Sequence, residues 1–88
     1  MSNCTFQVYA DVTKRHAITN ENIIIYDVEI YSEALAMPRI IHISGNNRTL
    51  DQIHDDITHY AKIVLSTNYK RRISQDDMLV EIHDITSE

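Results

Sequence analysis

The densest group of residues that could do chemistry lies in the segment 54–59, which reads HDDITH. In a helix, Asp55 and Asp56 lie four and three residues before His59, so the three side chains would share one exposed side. They could supply two metal ligands, or a carboxylate that orients a histidine general base. A metal site needs a third or fourth ligand, however, and the chain offers no second motif at a recognisable spacing. An ordinary surface pair between His54 or His59 and a carboxylate is therefore the favoured interpretation, and a metal-dependent enzyme built on Asp55 and His59 is the weaker one.

Other catalytic chemistry is excluded by the scarcity of two residue types. Gly45 is the single glycine, whereas dinucleotide fingerprints, P-loops and the Gly-x-Ser-x-Gly elbow each need at least two. Cys4 is the single cysteine, which rules out an internal disulfide framework and a Cys-pair zinc site. Cys4 also falls on the apolar face of a predicted strand, where a thiol is inert. We therefore predict that the protein is not an enzyme and has no cofactor and no metal.

Acidic residues suggest a docking surface. The chain has 13 Asp+Glu against 8 Lys+Arg, a formal net charge of -5. That charge is ordinary for a soluble domain, whose usual magnitude is about 2–8. The carboxylates are nevertheless paired on the predicted helix and around the last strand. Such a surface, with an exposed tyrosine or two, could dock a basic partner by electrostatic attraction. The candidate residues of this predicted acidic face are Asp55, Asp56, Asp76, Asp77 and Glu81.

Basic residues suggest a competing function. Five of the eight fall in two clusters, Lys14-Arg15 and Lys70-Arg71-Arg72. Both clusters are predicted to lie in loops, the first within the polar connection 13–22, and both could come near one end of the sheet. They would then clamp phosphates while Tyr9 or Tyr69 stacks on bases, giving a small nucleic-acid-binding domain. The negative net charge and the acidic outward face of the predicted sheet argue against it. That outward face would carry Asp11, Asp27, Glu29 and Glu81.

Four segments have the alternating pattern of strands. They are residues 4–12, 23–31, 40–44 and 78–85, and period-two alternation is typical of a strand with one buried face. The predicted apolar faces are Cys4, Phe6, Val8, Ala10 and Val12 in the first strand, Ile24, Tyr26, Val28 and Ile30 in the second, and Met78, Val80 and Ile82 in the last.

One helix is predicted between the third and fourth strands. Thr49 followed three residues later by Gln52 makes a capping box, and Asn68 is a plausible end. The stretch 32–37 could be either a helical turn or irregular chain. The order β-β-β-α-β, with one helix on one face of a mainly antiparallel sheet, predicts a small single α+β domain over residues 1–88. The predicted apolar stripe of the helix is Leu50, Ile53, Ile57, Tyr60, Ala61 and Val64.

Composition and pattern together predict a cytoplasmic binding protein. The chain shows no secretory signal and no apolar run long enough for a membrane span, so a reducing cytoplasm is expected. A chain of 88 residues has a modest core, and a homo-oligomer would help its stability. In its small size, its lack of catalytic machinery and its Asn/Ile/Asp-rich composition, the chain resembles small accessory proteins of phages and mobile elements. We therefore predict a non-catalytic protein-interaction domain that inhibits a nucleic-acid-handling host protein by occupying its basic surface.

Overall fold

The computed structural model describes residues 5–83. Within this range the chain forms four strands and one long helix in the order that the sequence predicts, so the expected β-β-β-α-β domain is confirmed. Cys4, with its predicted core thiol, and the predicted end of the last strand at Ile85 lie outside the described residues. The elements are β1 (Phe6–His16), β2 (Ile24–Tyr31), β3 (Arg39–Ser44), α1 (Leu50–Tyr69), a short 3-10 turn (Gln75–Asp77) and β4 (Met78–His83).

The strands form one sheet in the order β3-β2-β1-β4. The β1–β2 and β2–β3 pairs are antiparallel, whereas β4 is parallel to β1. The mixed pattern follows from the helix, which returns the chain to the opposite end of the sheet before β4 starts. Two of the three strand pairs are antiparallel, as the prediction of a mainly antiparallel sheet requires.

Strand β1 is longer than the sequence predicts. Its ladder with β2 continues to the pair His16↔Ile24, so only residues 17–23 connect the two strands. The sequence did not predict this extension, because the strand was recognised by its apolar face. That face ends at Val12, and the side chains of residues 13–16 are polar. Lys14 and Arg15 therefore lie in a strand, and the prediction that they lie in a loop is wrong.

The helix begins as predicted. The Thr49 hydroxyl accepts a hydrogen bond from the Gln52 amide at 3.1 Å, and the Gln52 side chain accepts one from the Thr49 amide at 2.9 Å. This capping box satisfies two amide donors that the first turn leaves without partners. The helix ends at Tyr69, one residue after the predicted Asn68. Lys70 follows in the left-handed conformation, with φ of 56°.

The buried stripe of the helix differs from the predicted one at three positions. Leu50 is 52% exposed and Tyr60 43% exposed, so neither belongs to the core. Leu50 is the first residue of the helix, and Tyr60 lies at the flank of the stripe rather than at its centre. Leu65, which the prediction omitted, is fully buried. The buried helix residues are Ile53, Ile57, Ala61, Val64 and Leu65.

The core lies between α1 and one face of the sheet. Every buried residue among those described is hydrophobic, and none is polar or charged. The sheet contributes residues from alternate positions, as period-two burial requires. None of the helices in the described part of the chain is long and apolar enough to cross a membrane. The sheet side of the core includes Val8, Ala10, Val12, Tyr26, Val28, Ile30, Ile43 and Met78.

The segment between β2 and β3 is irregular chain, which settles the alternative that the sequence left open. The Ser32 hydroxyl donates to the Gln7 carbonyl at 2.6 Å and accepts from the Ala34 amide at 3.1 Å. The Tyr69 hydroxyl donates to the Ala34 carbonyl at 2.9 Å, and Leu35 is buried. These contacts hold the segment 32–38 against the beginning of β1 and the end of α1.

Candidate binding surface

The face of the sheet opposite the helix has no covering layer among residues 5–83. We call it the open sheet face. Along each strand its side chains alternate with the buried ones, so the alternation determines which residues belong to this face. Its residues are Gln7, Tyr9, Asp11, Thr13 and Arg15 on β1, Ile25, Asp27, Glu29 and Tyr31 on β2, Ile40, His42 and Ser44 on β3, and Leu79, Glu81 and His83 on β4.

Two tyrosines stack on the open sheet face, on the two central strands β1 and β2 at the end of their ladder. Tyr9 and Tyr31 are directly opposite in the β1–β2 ladder, and their ring centroids are 5.4 Å apart with an interplanar angle of 25°. The His83 ring lies 6.0 Å from Tyr9 on the other side. Both tyrosines are partly buried by their neighbours. The rings of Tyr31, Tyr9 and His83 therefore form a row across three adjacent strands. This row presents apolar ring surface beside hydroxyl and imidazole groups.

His83 is held between two carboxylates. Its Nδ1 lies 3.0 Å from Asp11 and its Nε2 lies 3.1 Å from Glu81. A neutral imidazole has one N–H and one acceptor nitrogen, so only the protonated ring can donate to both carboxylates. Hydrogen bonds to Glu81 and then to Asp11 raise the pKa of His83 above its ordinary value. The geometry and the direction of the pKa shift both favour the imidazolium.

The hydroxyl of Tyr31 extends this cluster. It donates to Asp11 at 3.4 Å, a long hydrogen bond. Desolvation of the ring, followed by the negative charge of Asp11, raises the pKa of Tyr31. Tyr31 therefore remains a neutral donor, and it orients the same carboxylate that contacts His83.

A second charged cluster lies further along the same face. Asp27 accepts hydrogen bonds from Arg15 and from His42 Nδ1, each at 2.6 Å. The hydrogen bond from Arg15 is the largest cause that lowers the pKa of Asp27, and the one from His42 adds to it. Arg15 is thus occupied by a carboxylate of its own chain. Because the pair is partly exposed, its contribution to stability is small.

The open sheet face has a net negative charge. It carries four carboxylates and one guanidinium, a net charge of -3 when both imidazoles are neutral and -1 when both are protonated. Glu29 is exposed. The carboxylates of Asp11, Glu29 and Glu81 therefore lie beside the tyrosine pair, and Asp27 lies further along β2. The net charge of the face depends on pH through His42 and His83. The four carboxylates belong to Asp11, Asp27, Glu29 and Glu81.

The five residues of the predicted acidic face do not share one surface. Asp55 and Asp56 lie on the helix, where Asp56 forms an ion pair with Arg48. Asp76 and Asp77 lie in the 3-10 turn, and Asp77 accepts hydrogen bonds from the Ser74 amide and hydroxyl at 3.2 Å. Glu81 lies on the opposite side of the sheet. The structure therefore separates Glu81 from Asp55 and Asp56, whereas Gln75 of the 3-10 turn lines one depression with those two carboxylates. The docking role of the five acidic residues stays a prediction.

The two basic clusters also remain apart. Arg71 lies over the Phe6 ring, 5.9 Å from its centroid, at the beginning of β1. Arg15 is nine residues further along the same strand, which is about 30 Å at the rise of an extended chain. Lys70 and Arg72 are exposed beside Arg71. The expectation that the two clusters come near one end of the sheet is wrong, since they mark opposite ends.

The acidic residues and His59 of the helix motif lie around one depression of the surface. This shallow depression is lined by Asp55, Asp56, His59, Lys62 and Gln75. Residues 5–83 contain no group of three His, Cys, Asp or Glu side chains that could hold one metal ion. This includes the cluster on the open sheet face, where Asp11 and Glu81 contact different nitrogens of His83 and so do not converge on a common point.

Comparisons of the chain with protein-family models, with curated proteins and with solved structures found no match. The function therefore has to be inferred from the chemistry of the described surfaces. Of these surfaces, the open sheet face combines aromatic area, net charge and close side-chain packing. Tyr31, Asp11 and His83 were not among the residues that the sequence singled out for binding, and Tyr9 was named only as a stacking residue in the nucleic-acid alternative. The alternation of β1 and β2 was the signal that placed Tyr9, Asp11 and Tyr31 on one face.

Proposed function

We propose that this protein is a non-catalytic protein-interaction domain that binds a basic protein surface on its open sheet face. The observation that carries the proposal is the stacked pair Tyr9–Tyr31 beside the carboxylates of Asp11, Glu29 and Glu81, on a face whose net charge is negative whether its imidazoles are neutral or protonated. Tyrosines are enriched among the residues that contribute most to protein interfaces, because they bury large area at a low entropic cost. Carboxylates around them would steer a basic partner and exclude an acidic one.

The partner chemistry follows from this charge. Arginine or lysine side chains of the partner would contact Asp11 and Glu81 while their aliphatic stems or guanidinium planes lie against the tyrosine rings. A protein that handles nucleic acid has such a basic surface, and occupying it would block access of the nucleic acid. This keeps the inhibitory role expected from the sequence but moves the contact from the helix carboxylates to the open sheet face.

A titration with a short arginine-rich peptide at low salt tests the site. Amide chemical shifts of the labelled protein should change around Tyr9, Tyr31 and Glu81. The chain offers two matched controls, one for charge and one for the aromatic ring. Glu81→Lys and Asp55→Lys change the net charge equally but on opposite sides of the sheet. Tyr9→Ala and Tyr60→Ala each remove one tyrosine, from the open sheet face or from the helix.

Specific docking predicts that Glu81→Lys and Tyr9→Ala each weaken peptide binding by about tenfold or more, equivalent to about 1.4 kcal/mol. Asp55→Lys and Tyr60→Ala should change it by much less. Equal losses from Glu81→Lys and Asp55→Lys would mean nonspecific attraction to net charge and would contradict the proposal. So would tight binding of DNA or RNA at low salt that Arg72→Glu abolishes, because the basic cluster would then be the functional surface.

The pH dependence offers a further check of the same site. When His83 loses its proton, its positive charge no longer offsets Asp11 and Glu81, and the open sheet face becomes more negative. Binding of the basic peptide should therefore tighten as the pH rises through the elevated pKa of His83. The His83→Gln variant should lose this part of the pH dependence. Binding that weakens with rising pH over that range would contradict the proposed contact.

A further inference from the structure

A second shallow depression lies on the helix side of the sheet, where the connection between α1 and the 3-10 turn passes the last turns of the helix. It is lined by Lys62, Ser66, Arg72, Ile73 and Ser74. Both charged residues among these five are cations, and none of the five is a carboxylate. The chemistry of this depression, which we call the basic depression, therefore fits an anion.

Backbone contacts hold the residues of the basic depression in place. Lys62 and Ser66 are four residues apart on α1, so their side chains lie on the same side of the helix. The Arg71 amide donates to the Ser66 carbonyl at 3.2 Å, and the Ile73 amide donates to Ser66 Oγ at 3.2 Å. Ile73 itself is 1% exposed. Because both of its neighbours are held against the helix, Arg72 is positioned beside Lys62 and Ser66.

Three side chains of the basic depression can donate to a ligand. Among residues 5–83, neither Lys62 nor Arg72 forms an ion pair with a carboxylate. The Ser66 hydroxyl accepts a hydrogen bond from a backbone amide, and its own proton is left for a ligand. The Ser74 hydroxyl differs, because it donates to Asp77 at 3.2 Å. The available donors are therefore an ammonium, a guanidinium and one hydroxyl.

These donors match the chemistry of a phosphoryl group. A phosphate ester has three terminal oxygens that are strong acceptors, and its charge near pH 7 is about -1.5 to -2. The guanidinium of Arg72 can contact two of those oxygens as a fork, while the ammonium of Lys62 acts as a point charge. A carboxylate has two oxygens and a single charge, so it would gain less from two cations and a hydroxyl.

Nearby carboxylates limit the ligand to one phosphoryl group. The adjoining depression shares Lys62 but is also lined by Asp55 and Asp56. On the other side, Asp77 lies one hydrogen bond from Ser74. A nucleic-acid strand presents successive phosphates, and those next to the bound one would meet these carboxylates. A small molecule with one phosphoryl group has no such neighbours.

We propose that the basic depression binds the phosphoryl group of a small ligand through Lys62, Ser66 and Arg72. The net charge of -5 opposes anions at long range, but salt screens it beyond about 8–10 Å. The two cations that contact the ligand therefore outweigh it. The basic depression shares no residue with the open sheet face, so this proposal and the proposed partner binding can fail separately.

A titration with inorganic phosphate tests the site, with sodium chloride added to keep the ionic strength constant. Amide chemical shifts of the labelled protein should change at Lys62, Ser66 and Ile73 and should saturate. Lys62→Gln and Arg72→Gln should each weaken phosphate binding by about fivefold or more. Lys70→Gln is the matched control, because it removes the same charge from an exposed neighbour that does not line the basic depression. It should change the affinity by about twofold or less. Shifts that never saturate, or equal losses in all three variants, would overturn the proposal.

Two further titrations identify the source of the phosphoryl group and exclude nucleic acid. If glycerol 3-phosphate binds more tightly than inorganic phosphate, the ligand is a phosphate ester, and the reverse order indicates the free ion. A single-stranded oligonucleotide that binds much more tightly than either, with its affinity lost in Lys62→Gln, overturns the proposal. Glu81→Lys should leave phosphate binding within about twofold, and Lys62→Gln should leave binding of the arginine-rich peptide equally unaffected.

Discussion

The two faces of the sheet come from the same four strands but differ in almost every physical respect. The covered face is apolar, and Val8, Val28 and Ile30 on it have no exposed surface. The open sheet face carries two charged clusters and a tyrosine pair. Stability therefore depends mainly on the covered face, where burial dominates, while the potential for recognition lies on the open face. Substitutions should separate the two roles.

The largest expected difference compares two isoleucines. Ile53 on the helix is fully buried, and Ile53→Ala should lower the free energy of unfolding by about 2–5 kcal/mol through lost burial and a cavity. Ile40→Ala, on the open sheet face, should change it by about 0.5 kcal/mol or less. Urea unfolding followed by circular dichroism, at a concentration where the wild type is monomeric, measures both. If both variants lose a similar free energy of unfolding, Ile40 on the open sheet face contributes as much to stability as a core residue does, and the contrast between the two faces is wrong.

A smaller loss is expected at Gly45, where the chain leaves β3. A methyl group there would lie 2.5 Å from Cε2 of Tyr26 and 2.9 Å from Cγ2 of Ile24. Tyr26 is buried in the core, so its ring cannot move freely, and Gly45→Ala should cost about 1–3 kcal/mol. Combining it with Tyr26→Leu should cost less than the sum of the two single changes, because leucine removes the clashing ring atoms. A strictly additive double variant would mean that the ring is not the obstacle.

The helix cap should have a still smaller effect. Thr49→Ala removes the hydroxyl that accepts from the Gln52 amide and should cost about 1 kcal/mol. Thr67 is an exposed residue near the end of the same helix. Thr67→Ala should change the free energy of unfolding by about 0.5 kcal/mol or less, because alanine is the better helix former. If the melting temperature shifts equally in the two variants, the effect of Thr49→Ala comes from helix propensity rather than from capping.

The sequence predicted the covered face better than the surface. Alternation and helical spacing depend on burial, so they located β1, β2 and α1 and most of their core residues. The same patterns gave wrong predictions for residues that lie outside the core. Residues 13–16 form a ladder without an apolar face, and Tyr60 satisfies the helical spacing but lies at the flank of the stripe.

The candidate site was harder to predict for a different reason. Asp11 and His83 are far apart in sequence, and only the parallel pairing of β4 with β1 makes them neighbours. The sequence showed that each residue would face outward, but not that β4 would pair with β1. Asp55 and Glu81 illustrate the opposite error, in which residues assigned to one surface lie on different layers. Charge is readable from sequence, whereas its distribution depends on strand order.

The smallest expected effect concerns the pH dependence of the charged clusters on the open sheet face. His83 has a raised pKa in the folded chain, so its stabilising contribution is fully present below its unfolded value of 6.5 and is lost as the pH rises through the folded value. Asp27 behaves in the opposite sense. Its pKa is lowered, so its contribution is present above the unfolded value of 3.8 and is lost as the pH falls through the folded value.

Proton NMR titration of the His83 ring should show the raised pKa directly. Glu81→Gln, which removes the largest cause, should lower that pKa toward its ordinary value, and Asp11→Asn should lower it less. A His83 pKa unaffected by either change would mean that the carboxylates do not hold the imidazolium, and the pH-dependent contrast between the two faces would disappear.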